Sequence, residues 1–162
     1  MTVPRAAPLP DDALLRVYTE QGAYTDCFVK DVANDVDLAG YLMGFYTTPL
    51  FRVERLILRL ALKRPSTDAD VAALARKQSD SFAAWDVEAR TEDQVLLCDM
   101  GQATRSWFKV ARSGTGTRLY FGSAVVAPDH WLMRALLPLH RLYARALLWS
   151  VRKPSAFGDL DQ

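Results

Sequence analysis

From Ser81 to Val126 the apolar residues recur with a period of two, and only short turns interrupt them. The strand-like runs are Phe82 to Arg90, Gln94 to Met100, Thr104 to Arg112 and Thr117 to Val126. Between them lie Thr91-Glu92-Asp93, Gly101-Gln102-Ala103 and Ser113-Gly114-Thr115-Gly116. Linkers this short favour antiparallel hairpins, because a parallel crossover consumes roughly a dozen residues or more. Such a meander must bury a face, so the elements that cover it decide the rest of the fold.

Upstream, Met1 to Pro10 is rich in Pro and Ala and reads as a flexible arm over residues 1–10. Asp11 or Asp12 is placed to cap a short helix that runs to Glu20 and ends at Gly22. Tyr24 to Val32 reads as a first strand, with Tyr24, Asp26, Phe28 and Lys30 on one face and Thr25, Cys27 and Val29 on the other. A helical stretch follows. Leu38, Tyr41, Leu42 and Phe45 fall at helical spacing after candidate caps at Asn34 to Asp37. Thr48-Pro49 stops that helix and starts a second one, to about Lys63. Thr67 with Asp70 resembles a capping box for a third, to about Lys77. After the meander, Pro128-Asp129 leads into helical sequence as far as Lys153, with Pro138 marking either a kink or the true start. Residues 154–162 read as a flexible tail.

The expected class is α+β: an antiparallel curved sheet packed on a long C-terminal helix, with a helical insertion after the first strand. One domain, residues 11–153, accounts for the 162 residues and could bury roughly 70% of the unfolded surface. Charge is nearly balanced at +1, so no overall attraction to nucleic acid is expected. The longest apolar stretch, Leu132 to Val151, carries Arg134, His140, Arg141 and Arg145, which argues against a membrane span. The N-terminus has no apolar core of a secretory signal, and cytoplasm is the expected compartment. Cys27 and Cys98 lie in separate apolar runs, as two buried thiols or a single disulfide.

This order of elements is that of a helix-grip domain, and the chain resembles the START-like, or SRPBCC, superfamily. More narrowly, it resembles an uncharacterised bacterial family of unknown function. The segments that carry the likeness are Tyr24-Thr25-Asp26-Cys27-Phe28, Phe45-Tyr46-Thr47-Thr48-Pro49-Leu50-Phe51, Thr104-Arg105-Ser106-Trp107-Phe108, Arg118 to Val125 and Leu139-His140-Arg141-Leu142-Tyr143. The resemblance implies an apolar pocket between sheet and C-terminal helix. It implies no particular activity.

On a helical projection His140, Tyr143, Leu147 and Val151 share a face, about 100° or more from Arg134, Arg141, Arg145 and Arg152. His140 is thus either a ligand-binding or acid–base residue or a core histidine with a protein partner. Asp26 and Asp99 are the carboxylates that could join it in catalysis; the plainer alternative is contact with water or with Arg105. Among the strand aromatics, Trp85, Trp107 and Tyr120 are candidate ligand contacts, together with His140 and Tyr143. The opposite aromatic set, if uncovered, would favour a homodimer. Arg52, Arg55, Arg59 and Lys63 edge an otherwise apolar helix, which suits either a buried helix with one wet stripe or peripheral membrane contact through residues 49–63. No dinucleotide loop, phosphate loop, nucleophile elbow or zinc-ligand spacing is present, and neither cofactor nor metal is expected. The leading expectation is non-catalytic binding of a small apolar or amphipathic molecule. The rivals are a cyclase- or dehydratase-type enzyme and an interaction module.

Overall fold

The computed structural model describes residues 2–63, 65–126 and 131–151; for residues 54, 57, 58, 61, 62 and 131–140 it describes the backbone alone. The elements in chain order are β1 (Arg5–Ala6), α1 (Arg16–Glu20), β2 (Tyr24–Val32), α2 (Leu38–Tyr46), α3 (Pro49–Leu62), α4 (Asp68–Ala75), β3 (Ser81–Phe82), β4 (Trp85–Arg90), β5 (Gln94–Asp99), β6 (Thr104–Ser113), β7 (Gly116–Val125) and α5 (Trp131–Ser150). The class is α+β, with one curved sheet of seven strands in the order β1-β2-β7-β6-β5-β4-β3. Every neighbouring pair is antiparallel.

Two local expectations need correction. Within the span expected as a flexible arm, Arg5 and Ala6 pair with Val29 and Phe28 as an edge strand. Thr2 secures it, donating through Oγ1 to the Asp31 carbonyl (2.6 Å). Pro4 and Pro8 flank the strand, which prolines tolerate at a sheet edge. The run Phe82 to Arg90 is two strands, because the chain folds back at Ala83-Ala84, with Ala83 at φ 52°. The tail at 154–162 lies outside the described residues.

The helix starts follow their caps. Asp37 accepts from the Gly40 amide (2.7 Å) at the start of α2, and Thr67 and Asp70 complete a reciprocal capping box on α4. At the far end of the chain, Lys30 caps α5. Its Nζ donates to the carbonyls of Leu148 (3.2 Å), Trp149 (3.1 Å) and Val151 (2.8 Å), groups that a helix end leaves without partners.

The sheet separates two apolar layers. On the helix side Phe28, Val95, Leu97, Phe108, Leu119 and Phe121 meet Tyr41, Leu42, Phe45 and Phe51, together with Leu74 of α4 and Leu147 and Leu148 of α5. On the other side Cys27, Val29, Leu96, Trp107 and Ala124 lie beneath Ala13, Leu15 and Tyr18. The N-terminal segment thus lies over the second aromatic set: Trp107 is buried and Tyr120 half-buried beneath it. Gln94 fastens the segment: its Oε1 accepts from Trp107 Nε1 (2.9 Å) and the Leu14 amide (3.0 Å), and its Nε2 donates to the Asp12 carbonyl (3.0 Å). Asp12, expected as a helix cap, instead pairs with Lys109 at 2.7 Å.

A β-bulge between Val87 and Ala89 lets β4 serve both layers. Trp85 and Val87 pack on the helix side, whereas Ala89 packs under the N-terminal segment. The extra residue, Glu88, receives hydrogen bonds from Tyr18 and from Arg105 Nε (2.6 Å).

Candidate functional site

Cross-strand partners share a face, and side chains alternate along each strand. Asp26 is opposite Ser123, which is opposite Ser106, which is opposite Leu97. Leu97 belongs to the helix-side core, so Asp26, Ser106 and Ser123 form a polar row on that side. One step along the strands the same row is Phe28, Phe121 and Phe108. The lining therefore changes from rings to hydroxyls and a carboxylate within two residues. Asp26 Oδ1 accepts from Ser123 Oγ (2.6 Å) and the Ser123 amide (3.1 Å), and Oδ2 accepts from Tyr24 (3.2 Å). Burial and the Asp26 charge push the Tyr24 phenol up, only partly countered by Arg141 of α5. Arg141 thus lies near Tyr24, and α5 packs along β2, the strand that carries Asp26.

The aromatic half of the same side is filled. Phe108 stands 4.8 Å from Phe45 and 5.1 Å from Phe121, ring centre to ring centre, and Tyr46 stands 4.7 Å from Phe51. Edge contacts at these distances are favourable packing and leave no channel between the rings. Trp85 and Tyr143 sit half-buried at the margin of this cluster.

The predicted site residues therefore divide. Trp85, Tyr143 and Asp26 lie on the helix side. Trp107 and Tyr120 lie on the opposite side, 6.0 Å apart and under the N-terminal segment. Trp107 is fully buried with its indole N–H satisfied by Gln94, so it is core. The side chain of His140 lies outside the described residues. Asp99 closes the β5–β6 turn, accepting from the amides of Thr104 (2.6 Å) and Gly101 (3.1 Å). Asp26 on β2 and Asp99 on β5 are three strand spacings apart, about 14 Å at ~4.8 Å each, so they do not share a site. Arg105 meets Glu88 and Tyr18 and not Asp99.

The same separation keeps Cys27 and Cys98 as free thiols. Burial pushes the Cys27 thiol up to about 12, with Asp26 adding to it, which leaves it unreactive near neutrality. A groove of about 570 Å³ runs between the N-terminal segment (Ala7, Pro8, Leu9), α1 (Arg16, Thr19, Glu20) and β2 (Thr25, Asp26, Cys27), at the face of the sheet that α1 covers. Among the described residues no three His, Cys, Asp or Glu side chains converge as metal ligands would. Among them too, no helix is long and apolar enough to cross a membrane.

What the sequence reading missed is the pair Ser106 and Ser123. Ser123 sits between Gly122 and Ala124 and Ser106 between Arg105 and Trp107, and only the register places them beside Asp26.

The sequence matches no protein-family model and no curated protein. Among solved structures, the crystal structure of protein Ms6760 from Mycobacterium smegmatis is similar, with 10% identity and a TM-score of 0.41, over 89% of this chain and 95% of that one.

Proposed function

We propose that the chain is a helix-grip, START-like binding domain, acting in the cytoplasm, which holds one small apolar or amphipathic molecule between the sheet and α5 without catalysing a reaction. The observation that carries this reading is the change of lining on the helix side, from packed rings to the row Asp26, Ser106 and Ser123. A ligand's polar end would meet that row, and its apolar part would lie along Trp85 and Tyr143 at the core margin. Binding sites of this kind are mostly apolar, with a few placed polar groups that fix orientation. Trp107 and Tyr120, on the covered opposite face, have no part in it.

An acid–base role would need the imidazole of His140 beside Asp26, since Asp99 is committed to its turn. The two free cysteines agree with a reducing compartment.

Native mass spectrometry of freshly purified protein, before and after organic extraction, tests the reading. The expected result is a mass increment that extraction removes and re-addition restores. Ser123→Ala should weaken that binding by roughly tenfold, about one hydrogen bond's worth, with the fold intact by circular dichroism. Protein that carries nothing, and takes up neither fatty acid nor sterol probes, would end the proposal. His140→Ala with unchanged affinity would remove the imidazole from it.

A further inference from the structure

Large apolar side chains stand in solvent on two helices that pack against each other, α3 and α5. On α3 Val53, Leu56 and Leu60 are exposed, Leu60 to 73%. On α5 Leu142 is 64% and Trp149 63% exposed. At 100° per residue the α3 residues span one arc, bordered on one side by Arg52 and Arg59, with Lys63 just past the helix end; all three cations are exposed. Leu142 and Trp149 are seven apart and share a face with the exposed Arg141 and Arg145. Arg55, expected in the same basic stripe, is not part of this surface. It turns inward, donating through Nε to Ser66 Oγ (3.1 Å) and through Nη2 to the Ser66 carbonyl (2.6 Å).

Arg52 is paired with Asp68 at 2.8 Å. Arg59, Lys63, Arg141 and Arg145 form no ion pair among the described residues. Apart from Arg52, the cations that border the exposed apolar residues are thus unneutralised among the described residues. We infer that this α3–α5 surface docks the protein on an anionic lipid bilayer, with the arginines and Lys63 at the phosphates and Leu56, Leu60, Leu142 and Trp149 dipping into the interface. The charge decides among occupants. A second copy docking face to face would set these cations against each other, whereas acidic headgroups complement them. Nucleic acid would match the cations but leave the leucines and Trp149 in water. Trp at headgroup depth, Leu below it and Arg alongside is the composition that interfacial helices need.

The surface is distinct from the ligand site on the inner side of α5, and the inference does not depend on that site. Cosedimentation of the full chain with phosphatidylcholine vesicles, with and without phosphatidylglycerol as about one lipid in four, tests it. Binding to the anionic vesicles is expected to exceed that to neutral ones by about tenfold or more, and to fall as salt is raised. Bound protein should show quenching of Trp fluorescence by brominated lipid, and Trp149→Phe should remove most of that quenching. Leu60→Glu and Arg59→Glu, both at exposed positions, should each reduce sedimentation several-fold while the circular dichroism spectrum stays unchanged. Failure to sediment with anionic vesicles overturns the inference. So does equal binding to neutral vesicles, or binding that Leu60→Glu and Arg59→Glu leave untouched. A dimer by light scattering that Leu60→Glu dissociates, in a protein indifferent to vesicles, would assign the surface to a second copy instead.

Discussion

Lys30 shows how one buried polar residue can fix an element. It is 1% exposed, and burial pulls its amine down, yet its Nζ holds three carbonyls at the end of α5. Lys30→Met keeps the length of the stem but strands those acceptors, and should lower stability by about 1–3 kcal/mol in urea unfolding. No change, or a gain, would mean that the relieved desolvation outweighs the cap. Gly122 makes the complementary point about space. A Cβ there would stand 2.9 Å from the Asp26 carbonyl oxygen and from ring carbon Cε3 of Trp107, so both β2 and the second core would have to shift. Gly122→Ala is therefore expected to lower stability by about 1–3 kcal/mol in the same assay. In the sequence Lys30 is legible only as one of the polar positions of a strand. Its partner carbonyls are 118 to 121 residues away, and no local pattern announces them.

At the scale of elements, what is legible is what local chemistry decides. The capping box Thr67–Asp70 and the N-cap Asp37 are where the sequence places them, and α2, α3 and the hairpin strands follow from spacing and turns. Thr67→Ala should cost about 1 kcal/mol of stability, seen in thermal unfolding; no shift would mean that packing of Val71 and Leu74 alone holds α4. What is not legible depends on partners distant in sequence. Ala83-Ala84 carries neither Gly nor Asn, so nothing marks it as a turn, and Ala83 adopts its left-handed conformation because the strands on either side are held in place. The bulge at Glu88 moves Ala89 to the other face, against the alternation that its neighbours imply. The edge strand at Arg5–Ala6 is too short and too rich in flanking proline to register as a strand. The same limit governs the site: Asp26 is legible as a strand carboxylate, but its company with Ser106 and Ser123 is a matter of register.

For the whole molecule, carboxylates tie distant segments together. A hydrogen bond from Arg118 holds Asp31 below the usual carboxylate range, joining β2 to β7. Arg55 and Arg52 do the same for Asp68, and Thr67 for Asp70. Asp93 is lowered as well: burial works against it, but Lys109 and Thr91 prevail. A group whose folded pKa lies below its unfolded one contributes stability above the unfolded value and loses it as pH falls through the folded one. The protein is therefore expected to hold its stability down to about pH 4 and to lose it progressively below, measured as urea midpoints against pH. Midpoints flat from pH 5 to pH 2 would show that these pairs contribute nothing net. Lys109 acts in the opposite range. Burial would lower its amine, but Asp12 and Asp93 outweigh it and raise it, so its contribution is present below the ordinary lysine value and fades at more alkaline pH.

We propose that the helix-side row of Asp26, Ser106 and Ser123 receives a ligand's polar end. A crystal structure of the protein with its co-purifying molecule, or a soaked fatty acid, addresses it most directly. Density is expected between α5 and that row, with Trp85 and Tyr143 against its apolar part. Density in the groove of Ala7, Thr19 and Cys27 on the opposite side, or side chains filling the space along the row, would contradict it.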